Sequence, residues 1–508
     1  MQSYAVLVPS VAIVGAGLAG LASAKAAREY DLVPTVFESA PEAGGLWRPR
    51  TGSVWPELTT NISRFTCSLS DYPWPAGTPE FPQSAAVAEY LKSYARDFGA
   101  DRAIRFGCRV TAVERVSGGW RVAYSDDGGG QAEVFDALVV ATGFFGRPVF
   151  PRVSGRFDGP SVHSSAYRGP AEFRGRWVVV VGMAFSGAEI AAELARDGVT
   201  VTAVTPRPFW LVPRQVPLDG GCRVPLDLYR NTRSARLGPP GAVAPPPAER
   251  YRRRNRMLSS IGMNPGEIDE ALRLGPDSTD PPHVVVSDTV RAELAEGRLR
   301  VVAGRVRRLE RSTVVLDDGR RLGADAIIWC TGYRPDLALL PDSVLRAVEH
   351  HPVDTLQPVL LADAVFPQEI PGLSFVGMYR GPYFGVVELQ ARWVCAVIAA
   401  AVPSPDPLEL ARGVRTARET RLAHPRPQFP HNDLEQADRI GRILGVLPDP
   451  ESSRDANDWF WDAPVIPAHY RMMGAHAAPA TARALIEEAW TRCQETQDSQ
   501  EGSGTCQT

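Results

Sequence analysis

Lysine is almost missing from this 508-residue chain: Lys25 and Lys92 stand alone, and all other fixed positive charge is arginine, which reads as coding bias rather than function. With 55 basic against 58 acidic residues and a formal net charge of −3, no basic field spreads over the chain. Its one dense run, "RYRRRNR" at 250–256, lies in a Pro-rich stretch and reads as a solvated loop or helix face. Nucleic-acid binding is therefore not expected, because it needs a basic footprint across a whole domain.

Cysteine is sparse and has no pairing pattern. Cys67, Cys108, Cys222, Cys330, Cys395, Cys493 and Cys506 are odd in number and never spaced C-x-x-C. That argues against a disulfide framework, a dithiol redox pair and a Cys-rich metal site. His350–His351 and the scattered C-terminal histidines lack ligand spacing, so no metal is expected. Long apolar runs are missing as well: "WVCAVIAAAV" at 393–402 is about half a membrane span. The N-terminus reaches "VAIVGAG" without a basic region or a small-residue cleavage site. Together these absences predict a reducing, cytoplasmic setting without a membrane. The polar tail from about Cys493 is expected to be disordered.

Glycine, by contrast, is placed with purpose. "VAIVGAGLAGLASAKAA" carries a β-branched run into Gly15-Ala16-Gly17-Leu18-Ala19-Gly20 and then a helix-period stretch. Gly15 allows a tight turn, Gly17 lets the backbone approach a pyrophosphate, and Gly20 lets helix and strand pack closely. The helix N-terminus offers free N–H groups to the phosphates. The next strand, "PTVFE", ends in Glu38, where an acid hydrogen-bonds a ribose. In "EAGGLW", Gly45-Leu46-Trp47 can run beside a second phosphate or a flavin ring.

A second signature, "VVVVGMAFSGAEIAAELARDG" at 178–198, repeats the plan as Gly182-x-Ala184-x-Ser186-Gly187, followed by Ala188 and Glu189. Alanine in the second glycine's place is tolerated if its φ stays negative. The following strand ends Thr205-Pro206-Arg207, and an Arg suits a 2′-phosphate where an acid would repel it, so NADPH is expected over NADH. Two further segments, "DALVVATGFF" at 136–145 and "DAIIWCTGYRP" at 325–335, put an Asp before a buried strand and a Thr-Gly turn (Thr142-Gly143 and Thr331-Gly332), each after a hairpin. The fold class expected is α/β, with two Rossmann-like dinucleotide-binding domains, the NADPH domain inserted into the FAD domain.

Between the two units lies Phe157-x-Gly159-x-x-x-His163-x-x-x-Tyr167-Arg168. It resembles the fingerprint F-x-G-x-x-x-H-x-x-x-[YF]-[KR] of the flavin-containing monooxygenases; the Baeyer–Villiger enzymes of the same class usually carry Trp, then Pro or Asp, at its end. The resemblance spans roughly residues 8 to 475 and includes "GGLW", "TTNISRFTCSLSDYPWP" (59–75), the Thr205-Pro-Arg207-x-x-Trp210-x-x-x-Arg214 run, "PPHVVVSDTV", "CTGYRP" and "ELQARW" (388–393). It implies a soluble microbial type in which NADPH reduces FAD, O₂ adds to the flavin, and the resulting hydroperoxyflavin, shielded from water, oxygenates an amine nitrogen or a sulfur of a small molecule. Asn61 matches the family's flavin-edge Asn and is the expected catalytic group, able both to donate and to accept; His163 is expected to be diagnostic rather than a general base. The cofactor-contacting set implied adds Thr60, Ile62, Val110 and Gln390 to the glycine-turn residues above.

The expected layout is 1–160 and 330–475 for the FAD-binding domain, the latter with a C-terminal cover. The NADPH-binding domain takes 161–329, and 476–508 forms a terminal helix and disordered tail. Residues 215–282 read as an irregular, Pro-rich excursion. A Baeyer–Villiger enzyme acting on a ketone is the first alternative and a non-catalytic FAD/NADP-binding scaffold the outsider, kept open by Ala184 and a "FVGMYRG" segment (375–381) lacking an Asp. A homodimer is left open, as are the natural substrate and pathway.

Overall fold

The computed structural model describes residues 8–48, 53–218, 222–238, 245–447 and 458–501. Two five-stranded parallel sheets organise it. The strand Ser10–Val14 is apolar and buried from Val11 onward because both its faces are covered. It is the middle strand of the first sheet, in the order Leu373–Phe375, Ala137–Val140, Ser10–Val14, Val33–Phe37, Ile104–Arg105. Trp177–Val181 is the middle of the second, ordered Ser161–His163, Ala326–Trp329, Trp177–Val181, Thr200–Thr205, Leu299–Ala303.

Each sheet thus sets a glycine-turn strand at its centre, the next strand in sequence on one side and the Thr-Gly strand on the other. The hairpins expected before the Thr-Gly strands are present. Arg109–Val116, Gly119–Asp126 and Gly129–Phe135 form an antiparallel meander, and Val306–Arg311, Thr313–Leu316 and Arg321–Gly323 form another. The two Asp residues that follow them have one job. Asp136 accepts from Ser10 N at 2.7 Å, and Asp325 from Trp177 N at 2.9 Å, so each ties the returning strand to the foot of its glycine-turn strand.

The chain crosses between the sheets on two adjacent segments, Arg147–Pro148 and Tyr333–Arg334, which pair antiparallel. The second unit is inserted there, and the chain returns to give Leu373–Phe375 and the helix Phe384–Ile398, which packs on the first glycine-turn helix, Leu18–Glu29.

The stretch 215–282 departs from the irregular reading. It holds the hairpin Gln215–Pro217 with Arg223–Pro225 and a 15-residue helix, Pro247–Ile261. Its prolines fall before or at the first helical position, where a missing N–H removes no bond, so they start the helix rather than break it. "RYRRRNR" rides on that helix; Asn255, turned inward, accepts from Trp210 Nε1 at 2.8 Å. At the other end the helix Pro479–Glu501 runs through Cys493, correcting the expected start of the tail: "QETQDSQE" is rich in Gln and Glu, which favour helix. Residues 502–508, with Cys506, lie outside the described residues. Among the described residues no helix is long and apolar enough to cross a membrane, and no group of His, Cys, Asp or Glu could hold a metal.

Candidate active site

The two glycine turns are built alike, atom for atom. Gly15 has φ +108°, and a Cβ there would meet Ala141 O at 2.6 Å; Gly182 has φ +103°, and its Cβ would meet Cys330 O at 2.4 Å. A Cβ on Gly20 would fall 1.7 Å from Gly15 O, and one on Gly187 1.7 Å from Gly182 O. These glycines are the price of packing helix onto strand without a gap. The N-cap residues are Gly17 at φ −81° and Ala184 at φ −83°, so the alanine occupies the same backbone geometry without strain.

Both helices, Leu18–Glu29 and Phe185–Arg196, start with no capping side chain and no acid in the first turn. Their leading N–H groups and positive dipole ends are therefore available to phosphates.

Around the first turn, Gly17 and Gly45 face each other so closely that a Cβ on Gly45 would lie 2.9 Å from Gly17 Cα, and Gly44 N bonds Ala16 O at 2.9 Å. Leu46 and Trp47 continue from Gly45 in a single 3₁₀ turn. Glu38, 5% exposed, accepts from Ala16 N at 2.7 Å, Ala40 N at 2.8 Å and Arg48 Nη1 at 2.9 Å. Arg48 is a partner that motif spacing did not single out. Thr142, beside the Ala141 carbonyl that closes on Gly15, keeps a buried Oγ1 with no partner, and Gly143 follows at φ +78°. An orphaned hydroxyl, a double-glycine cradle and an open helix terminus at one place fit FAD.

Asn61 sits half-buried in the turn after Thr60, whose Oγ1 donates to Ile62 O at 2.8 Å. Among the described residues no hydrogen bond engages the Asn61 side chain; it does not satisfy its own turn. Val110 is a half-buried strand residue paired with Tyr124. Gln390 ties two chain segments together. It is fully buried, accepting from Gly377 N at 3.1 Å and donating to Asp363 O at 3.4 Å.

At the second turn, Thr205 ends its strand with Oγ1 bonded to the backbone of Arg207. The Arg207 side chain reaches solvent and has no carboxylate partner among the described residues. Partial burial, then the nearby charges of Arg305 and Arg426, hold its pKa below the usual guanidinium range. A cation crowded by cations and lacking an acid fits a dianionic 2′-phosphate. Arg305 and Arg426, distant in sequence, carried no motif that could have marked them. Glu189 pairs with Arg214 at 3.1 Å, leaving Glu189 Oε1 and Arg214 Nε buried and unpartnered beside Ser186 and Ala188. These orphaned atoms and the open helix end fit a bound nicotinamide dinucleotide.

The fingerprint residues hold the crossing between units. His163, 2% exposed, accepts at Nδ1 from Ser165 N at 3.1 Å and bonds Gly332 O at 3.1 Å through Nε2, which must then carry the proton. Burial pushes its pKa down, so the ring is neutral, a pin on the Thr331-Gly332 turn. Gly159 has no room for a Cβ, which would lie 2.2 Å from Asp325 O. Tyr167 donates to the buried Glu193 at 3.1 Å, and Arg168 donates to Ser165 O and Tyr167 O. Cys67, Cys108, Cys222, Cys330 and Cys395 are free thiols, and burial pushes the Cys330 thiol up to about 12, far from thiolate chemistry.

Comparison with known proteins agrees with this geometry. The family model described as flavin-binding monooxygenase-like matches residues 9–501. Dimethylaniline monooxygenase [N-oxide-forming] 2 of Rattus norvegicus is 29% identical over 470 residues, 87% of this chain and 84% of that protein. Flavin-containing monooxygenase 5 of Oryctolagus cuniculus is 28% identical over 501 residues, 91% of this chain and 89% of its own. Among solved structures, S-allyl-L-cysteine S-oxygenase from Allium sativum superposes with TM-score 0.61 at 22% identity, covering 96% of this chain and 99% of that one. The open form of cyclohexanone monooxygenase gives TM-score 0.63 at 18% identity, covering 86% and 98%, a likeness of fold. On the family match across residues 9–501, with its two glycine turns, the chain belongs to the flavin-binding monooxygenase-like family.

Proposed function

We propose that the chain catalyses oxygenation of an amine nitrogen or a sulfur in a small molecule. NADPH, H⁺, O₂ and substrate give NADP⁺, water and the N- or S-oxide. The observation that carries this is the pair of uncapped glycine turns on one chain; Asn61, whose amide makes no hydrogen bond among the described residues, is the residue we assign to the flavin edge. FAD would lie on Gly15–Gly20, Glu38, Gly45–Trp47, Thr60–Ile62, Val110 and Thr142–Gly143, and NADPH on Gly182, Ser186–Glu189, Thr205, Arg207 and Thr331–Gly332. The flavin supplies the two-electron relay between NADPH and O₂. The protein's part is to hold both dinucleotides, keep water out and offer a donor and acceptor at Asn61.

In this reading 1–160 and 330–475 form the FAD-binding domain and 161–329 the NADPH-binding domain. Tyr167-Arg168 at the end of the fingerprint favours N- or S-oxygenation over attack on a ketone. The deciding test follows NADPH oxidation, product and H₂O₂ with panels of tertiary amines, sulfides and ketones. Amine or sulfide oxides formed at the expense of H₂O₂ are expected. Lactones or esters from ketones alone would overturn the reading in favour of the Baeyer–Villiger alternative, and no NADPH consumption with any panel would leave the scaffold.

A further inference from the structure

Asp227 belongs to the excursion, just after the strand Arg223–Pro225, yet its carboxylate is spent on a turn more than 160 positions earlier in sequence. It accepts from Ser63 N at 3.1 Å on both oxygens, from Ser63 Oγ at 2.7 Å, and from Thr66 Oγ1. All three residues are buried: Asp227 is 6% exposed, Ser63 0% and Thr66 1%. Among the described residues no cation pairs with Asp227, and burial raises its carboxyl above the ordinary value in spite of these bonds. A buried acid without a cation is costly, and an apolar side chain would fill the space more cheaply.

What the acid does hold is the backbone next to Asn61. That side chain has no bond of its own, so its place is set by its neighbours. On one side Thr60 N bonds Pro82 O at 2.9 Å and Thr60 Oγ1 bonds Ile62 O. On the other side, two residues on, stands Ser63 in the grip of Asp227. Thr66, the third donor, also lines the cleft bordered by Arg236, Tyr383 and Asp433, which places the grip at the edge of open space.

The holding segment is itself braced. Arg233, 0% exposed, makes a two-bond pair with Asp438 at 2.8 and 3.0 Å and donates to Phe460 O at 3.0 Å, and Val465 N bonds Asn231 O at 2.7 Å.

We propose that Asp227 is a positioning residue: by holding Ser63 and Thr66 it fixes the backbone from which Asn61 meets the flavin edge, so that the 215–282 excursion braces the reacting centre. This rests on the reading of Asn61 given above.

The test compares the FAD-loaded wild type with Asp227→Asn, Thr66→Val and Asn61→Ala in two assays: amide hydrogen exchange over residues 60–67, and H₂O₂ released per NADPH oxidised. Asparagine keeps the shape of Asp227 but turns one acceptor into a donor facing Ser63 and Thr66. Exchange over 60–67 is expected to quicken about tenfold or more, as loss of hydrogen bonds to a charged group implies. The helix Leu18–Glu29 should stay protected and flavin reduction by NADPH should keep its rate, while the H₂O₂ share rises severalfold. Thr66→Val, a smaller change, should move both readouts the same way and serves alone if Asp227→Asn does not fold.

Unchanged exchange overturns the grip itself. Faster exchange with unchanged H₂O₂, alongside a leaky Asn61→Ala, overturns the positioning role and leaves the Asn61 reading standing. An Asn61→Ala enzyme as tightly coupled as the wild type removes the Asn61 reading and the positioning role with it.

Discussion

At the scale of single residues, the cofactor preference we propose rests on Arg207. Motif spacing singled it out, because the end of the second strand of a dinucleotide-binding unit is a fixed place in sequence. It could not find Arg305 and Arg426, whose charges reach Arg207 only after folding. Replacing Arg207 by Gln removes a charge-assisted partner for the 2′-phosphate, worth about 1.5–3 kcal/mol. KM for NADPH is expected to rise about tenfold or more, with KM for NADH nearly unchanged; initial rates at varied cofactor concentration check this. The same contrast explains Asn61 and Gln390. Both carry amides in segments that resemble the family, but only three-dimensional packing reveals that Gln390 is locked between Gly377 and Asp363 while Asn61 is free. Asp227 had no signal at all, since a lone Asp in "VPLDLY" looks like any loop acid.

At the scale of elements, the two strand–turn–helix units were legible almost in full because glycine, β-branched runs and helical period all pointed the same way. The helix Pro247–Ile261 was not, since prolines that end one helix start another, and only their position relative to the first turn distinguishes the two. The twin geometry makes a paired prediction. Gly187→Ala sets a methyl 1.7 Å from Gly182 O and must push helix from strand, with a cost of about 1–3 kcal/mol or more and loss of NADPH binding. Ala184→Gly, at a φ of −83°, should change stability by only a few tenths of a kcal/mol. Thermal melts with and without NADP⁺ measure both.

At the scale of the whole molecule, the excursion and the C-terminal segment are joined by a fully buried ion pair, and burial lowers the pKa of His163, His283 and His431. Asp438→Asn leaves Arg233 charged and unpaired at 0% exposure, so a loss of about 3–5 kcal/mol is expected in denaturant unfolding. The pH dependence has a definite sign. Burial pushes His283 and His431 down to about 4 and lowers His163, so the unfolded chain takes up protons near 6.5 that the folded one refuses. The stability they contribute is whole above that value and drains away as pH falls toward 4. Melting temperature should fall through that window, and His431→Gln should flatten the slope.

The shortage of lysine has a practical consequence. Lys25 is 3% exposed and locked by Asp71 and Glu29, which leaves Lys92, 30% exposed on the helix Ser84–Asp97, as the side-chain amine within reach of a reagent. Amine-selective labels, surface tethers and bifunctional crosslinkers therefore meet one side-chain handle per molecule. Conjugates made under mild conditions should be nearly uniform in their point of attachment.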